Sequence, residues 1–166
     1  MDLEEALVRE EIRSTIGRYI SAVDRSAYHE LVDVFTPDGV MAFGGLPPLE
    51  GRDAIISAMV LGAERRGALL PHNFSRHLLG HSIINVLGGA TARSVHYIVV
   101  LSEIGLDHSG VYVDDFVRWE GRWLIARRAA NLEWAHPNSR YGAPANASNP
   151  PPAPTPKPAM DIGFVS

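Results

Sequence analysis

From residue 4 to residue 23, apolar positions recur every three or four residues: Leu7, Val8, Ile12, Ile16, Tyr19, Ile20 and Val23. That spacing lays a stripe along one face and predicts an amphipathic first helix, with acids gathered in the first turn where the helix dipole favours them. A second, shorter helix is expected from Tyr28 to Phe35, with Leu31, Val32 and Phe35 on one side. The turn Thr36-Pro37-Asp38-Gly39 should stop it, because proline disfavours helix before it and glycine permits a tight reversal. Val40 to Phe43 reads as a short strand, the stretch GGLPPLEG as a loop, and a third helix starts near Arg52 and ends around Gly67. The texture then changes. Segments 74–87, 90–103, 110–120 and 122–134 are rich in Val, Ile, Tyr, Phe and Trp, and they are divided by GG, by the polar loop LDHSG and by a hairpin turn at Glu120-Gly121.

Helices first and a meandering sheet afterwards predict an α+β domain: a curved antiparallel sheet packed against three N-terminal helices. The domain is expected to span residues 1–142. From residue 143 to residue 166 the chain is rich in proline and alanine, which cannot join a sheet ladder, and it reads as an extended tail. There is no internal repeat.

Composition narrows the function. A chain of 166 residues with 46% hydrophobic content can bury one real core. A formal net charge of −4 argues against a nucleic-acid-binding surface. Cysteine is absent, which removes disulfides, thiolate nucleophiles and cysteine-ligated metals. The N-terminus is acidic and lacks a secretory pattern, and no apolar run reaches membrane-spanning length. The expectation is a cytoplasmic protein with no nucleic-acid or membrane partner.

The helix ending in IGRYISAVDRS, the phrase LVDVFTPDGV, the helix start EGRDAI, the strand RHLLGH and the hairpin YVDDFVRWEGRWLIARR follow one another in a familiar order. Together they resemble SnoaL-like proteins of the nuclear-transport-factor-two-like superfamily, over roughly residues 5–134. The resemblance implies a cone-shaped pocket between helices and sheet, and homo-oligomers, dimeric or trimeric. One subset is built around an aspartate–histidine pair: scytalone dehydratase, the bile-acid dehydratases and the hexachlorocyclohexane dehydrochlorinase. Asp24 at the end of the first helix and His77 at the start of a long strand stand where that pair stands. Tyr19, five positions before Asp24, and Arg128 in the last strand also have counterparts. The dehydratases carry a second acid or histidine on the next strand, for which His96 is the nearest candidate.

If Asp24 accepts a hydrogen bond from one ring nitrogen of His77, the tautomer is fixed and the other nitrogen faces the pocket as a base. Such a base can remove a proton beside a carbonyl and return it to a departing hydroxyl, without a cofactor. Tyr19 would donate to an oxygen on which charge builds, and Arg128 would stabilise an anion. The expected activity is therefore a lyase or isomerase, most simply a dehydratase, acting on a hydrophobic cyclic or aromatic small molecule. Expected substrate-binding residues are His81, His96, Tyr112, Asn131, Phe43, Met59 and Phe74.

Each residue also has an ordinary role. Asp24 can punctuate a turn, Tyr19 can be core with its hydroxyl satisfied, and strand alternation sends Arg127 and Arg128 to opposite faces. His77 and His81, on one strand face, would stand roughly 13 Å apart at ~3.3 Å per residue, too far to share a metal ion. Tyr112 and Asp114 share a face, with Asp114 either a second pocket acid or an interface salt bridge. Other readings of a different class are a small-ligand binder, or an assembly subunit like the small subunit of ring-hydroxylating dioxygenases. Both require that Asp24 and His77 point apart or that side chains fill the cone. A polyketide-type cyclase is a further reading.

Overall fold

Helix α1 spans Leu3–Asp24 in the computed structural model, which describes residues 2–65, 74–139 and 141. The Asp2 carboxylate caps it by accepting from the Glu5 N–H at 2.8 Å. Its buried face is Ile12, Thr15, Ile16, Tyr19, Ala22 and Val23; of the expected stripe, Val8 and Ile20 are partly buried and Leu7 is exposed, because it lies near the helix start. The other end closes in a Schellman motif: Ala27 N–H donates to the Ala22 carbonyl and Ser26 N–H to the Val23 carbonyl. Ser26 takes the left-handed position at φ 56° that glycine usually fills. This geometry stops the helix just after Asp24 and fixes the direction in which that carboxylate leaves it.

A six-residue 3₁₀ turn, Tyr28–Asp33, takes the place of the expected second helix. Strand β1 (Phe35–Phe43) then begins earlier than expected. The residues read as a stopping turn lie inside it as an irregularity: Phe35 pairs with Ile125, and pairing resumes at Val40 with Arg127. Residues 36–39 bulge out between those pairs, where Pro37 needs no ladder donor. Gly39 is tightly hemmed in, since a Cβ there would lie 3.0 Å from the Thr36 carbonyl oxygen and 3.2 Å from Phe35 Cβ. After the two-residue strand β2 (Leu49–Glu50) comes α2 (Arg52–Arg65). Four long strands follow: β3 (Ser75–Gly88), β4 (Thr91–Ser102), β5 (Gly105–Trp119) and β6 (Arg122–Ala135).

The six strands form one sheet in the order β2-β1-β6-β5-β4-β3. Every pairing is antiparallel except β1 with β6, so the sheet is mixed rather than wholly antiparallel. Helix α1 packs on its inner face around Ile16, Phe35, Phe116 and Ile125. The buried Thr15 hydroxyl ties helix to sheet by donating to the Trp123 carbonyl at 2.7 Å. Trp123 is core, whereas Trp119 and Trp134 are each partly exposed. No helix among the described residues is long and apolar enough to cross a membrane. The expected tail from residue 143 lies outside the described residues.

The register arranges the inner face in rows. Ser94, Asp114 and Arg128 lie across β4, β5 and β6, followed by His96, Tyr112 and Ala130, then by Ile98, Gly110 and Leu132. The next row runs from His77 on β3 through Val100 to His108 on β5. Gly110 sits where β5 presses against the backbone of β6, and a Cβ there would collide with the Asn131 carbonyl. Gly110→Ala should therefore destabilise the fold by about 1–3 kcal/mol or more, the usual cost of overpacking. Urea unfolding checks this, and an unchanged midpoint would mean that β5 and β6 separate freely at this point.

Candidate active site

Asp24 and His77 are 53 positions apart in the chain and meet in space. The His77 ring nitrogen Nδ1 lies 2.6 Å from Asp24 Oδ1. The His77 backbone N–H also donates to the same carboxylate, at 3.2 Å to Oδ1 and 3.1 Å to Oδ2. The Ser75 hydroxyl adds a long bond of 3.5 Å. A carboxylate can only accept, so in the neutral ring the proton sits on Nδ1 and the lone pair on Nε2. No described residue hydrogen-bonds Nε2. The side chains are 9% exposed for His77 and 11% for Asp24. His77 forms part of the wall of a half-open cavity of about 870 Å³ between the helices and the sheet, with Asp24 behind it.

A second imidazole, absent from the sequence-based set, lines the same cavity. His108 presents its ring edge-on to that of His77, with centroids 6.4 Å apart. Its Nδ1 is held by Asp107 Oδ1 at 2.7 Å. The expected LDHSG loop is in fact the start of β5, and the turn falls earlier, at Glu103-Ile104. A bulge between the pairs Val100–His108 and Leu101–Leu106 gives β5 an extra residue, so Asp107 and His108 are both buried. Asp107 also accepts from the hydroxyls of Ser102 at 2.8 Å and Ser139 at 2.6 Å. Burial pushes its carboxyl up, but the bonds from Ser139, His108 and Ser102 outweigh that and hold it below the ordinary carboxylate range.

At the other end of the cavity Tyr19 and Tyr112 form the floor, ring centroids 6.0 Å apart and nearly perpendicular. The Arg128 guanidinium lies between their faces, 4.0 Å from the Tyr19 centroid and 4.4 Å from that of Tyr112. Burial raises both phenols above their ordinary range, only partly opposed by Arg128, so they act as proton-bearing donors. Arg128 was expected to face the pocket. It is buried behind the tyrosines instead, in a two-pronged pair with Asp114 at 2.7 and 2.6 Å, and it does not reach the cavity wall. Burial disfavours its charge, but Asp114 more than restores it. Asp114 is thus neither a pocket acid nor an interface group. The third guanidinium nitrogen, Nη1, has no partner among the described residues.

Of the expected substrate-binding residues, Phe43, Met59, Tyr112 and Asn131 line the cavity. Three do not. His81 was expected on the face of His77, but the ladder slips between the pairs Leu79–Ile98 and Ser82–His96. The extra residue at Gly80-His81 inverts the alternation and leaves His81 exposed. Phe74, just before β3, is 45% exposed and outside the cavity lining. His96 faces inward but lies below the tyrosine floor, clamped by the hydroxyls of Ser94 at 2.6 Å and Ser82 at 2.7 Å.

Burial pushes His96 down from the ordinary 6.5 to about 4, with Asp114 opposing and Arg128 assisting. The folded chain keeps this ring neutral while the unfolded chain takes up a proton below about pH 6.5. Stability is therefore lost as pH falls from about 6.5 toward 4, and the effect is complete below that. Linkage gives about 2 kcal/mol between about pH 7 and pH 5. His96→Gln should remove that part of the pH dependence in urea unfolding; an unchanged slope would show that His96 is protonated in the folded state.

Comparison with known proteins sets this geometry in a family. The SnoaL-like domain matches residues 4–129. Rv2910c of Mycobacterium tuberculosis, an uncharacterized protein, is 30% identical over 139 residues, covering 77% of this chain and 87% of its own. An NTF2-like protein with a cystatin-like fold from Novosphingobium aromaticivorans superposes with a TM-score of 0.67 at 27% identity, covering 84% of this chain and 90% of its own. A protein of Catenulispora acidiphila in complex with S-DNPA superposes with a TM-score of 0.64 at 26% identity, covering 76% and 94%.

Proposed function

We propose that this chain, which belongs to the SnoaL-like domain family, is a cofactor-independent lyase or isomerase that eliminates water from a hydrophobic cyclic or aromatic small molecule. The observation that carries this is the 2.6 Å contact of His77 Nδ1 with Asp24, with the imidazole on the wall of a deep cavity. An assembly subunit has no use for that contact, and side chains would be expected to fill its cone; a plain ligand binder would share the cavity but gains nothing from an oriented imidazole. The relative in complex with S-DNPA supports a ligand site within this fold.

In the proposed reaction His77 Nε2 takes the proton from a carbon beside a carbonyl. The C–H electron pair moves into an enolate, whose oxygen accepts a hydrogen bond from the Tyr19 hydroxyl. Arg128 touches no substrate and acts through the two phenols stacked on it, stabilising charge that gathers at their oxygens. The enolate then expels the neighbouring hydroxyl, which leaves as water with the proton that His77 took up. Asp24 orients His77 and stabilises the imidazolium formed midway. No electrons are gained or lost, and one water is released per double bond formed.

A β-hydroxy tetralone tests this directly, because loss of water gives a fluorescent naphthol. Catalysed dehydration, accompanied in heavy water by exchange of the proton beside the carbonyl, is the expected result. If the protein accelerates neither process across a panel of cyclic β-hydroxy ketones and alicyclic alcohols, the elimination chemistry is wrong.

A further inference from the structure

We infer that Asp107 anchors residues 136–139, just after β6, as a strap along one side of the cavity, and that Tyr141, close behind them, selects flat ring-bearing substrates over puckered ones. The reading rests on the cavity being the place where an organic substrate is held.

The strap is built from specific bonds. His136 N–H donates to the Asp107 carbonyl at 2.7 Å, and the Ser139 hydroxyl donates to Asp107 Oδ1 at 2.6 Å. Ser139 N–H donates to the His136 carbonyl at 2.8 Å, and Tyr141 N–H donates to the Ser139 hydroxyl oxygen at 3.1 Å. The same carboxylate holds His108, so one group positions the strap and the imidazole together. Tyr141 and His108 then pack ring against ring, with centroids 4.8 Å apart and planes at 48°. Both rings line the cavity beside His77. Rings inclined at 48° do not make one flat plate, but the Tyr141 face, steadied by His108, gives close contact to a planar molecule lying against it. A chair-shaped ring of the same skeleton touches such a surface only at scattered hydrogens.

Isothermal titration with 2-naphthol and 2-decalol, which share a carbon skeleton and differ in flatness, tests the assignment. The wild-type chain should bind 2-naphthol more tightly. Tyr141→Ala should weaken 2-naphthol about five- to tenfold, the scale of one aromatic contact, and change 2-decalol by less than about twofold. Tyr141→Phe should behave like the wild type, and Ser139→Ala, which removes the anchoring hydroxyl but leaves the ring, should reproduce part of the loss. Equal effects on both probes, no effect of Tyr141→Ala, or a wild-type chain that binds neither probe or prefers 2-decalol would each overturn it. If the tetralone is not turned over while the naphthol preference still depends on Tyr141, the catalytic reading falls and this one stands. If turnover is found but the preference is not, only the role of Tyr141 is lost.

Discussion

His77→Gln should reduce dehydration of the tetralone by about 10²–10⁴-fold, the range that a positioned acid–base group supplies. Glutamine can still donate to Asp24 and fill much of the imidazole volume, so the cavity wall is retained. What it lacks is a nitrogen that accepts and returns a proton. The fall should appear in kcat with little change in KM, because the group acts on the transition state more than on binding. Asp24→Asn provides the second arm. Its amide nitrogen can face Nδ1 as a donor and thereby favour the tautomer with the proton on Nε2, which cannot act as a base. Loss of exchange beside the carbonyl in both variants, with unfolding midpoints near wild type, is the expected pattern. Wild-type turnover in His77→Gln would end the proposal outright.

The second large effect concerns stability. Asp114 and Arg128 are wholly buried and joined by two short bonds beneath the tyrosines. Arg128→Met should cost about 3–5 kcal/mol, because it strands a carboxylate in the interior beside His96. Asp114→Leu should cost a similar amount, leaving a guanidinium with only two aromatic faces for company. The double variant Arg128→Met with Asp114→Leu should recover most of that loss, since replacing both charges avoids an unpaired one. Urea unfolding of the four proteins gives the coupling energy directly. Simple additivity of the two single losses would show that the pair does not act as a unit.

Much of this site was legible before any coordinates. Helical periodicity ends at Asp24 and a strand-like run opens near His77, but what singled the two out as a pair, with Tyr19, was the resemblance to SnoaL-like proteins. What stayed hidden depends on irregularities that alternation cannot register. One extra residue at Gly80-His81 turns His81 to solvent, and another at Asp107 buries two polar side chains in a row. The polar string LDHSG therefore read as a loop and concealed His108; the only available signal was an acid beside a histidine. Arg128 was placed on the correct face, but pairing with Asp114 depends on cross-strand register. The parallel contact of β1 with β6 was equally out of reach, because it depends on how the whole chain wraps round.

The cavity has two unlike ends. Its floor is a charged pair roofed by two phenols, where any change of shape leaves a charge stranded. Its mouth, around Gly44, Gly45, Leu46, Leu49 and Met59, is apolar and partly glycine. Adaptation to a new molecule, whether by natural drift or by laboratory selection, thus has one tolerant region to explore. Sister proteins with the same dyad should diverge most at this entrance and retain the Asp114–Arg128 foundation, so libraries confined to the entrance should yield more folded, altered variants than libraries aimed at the base.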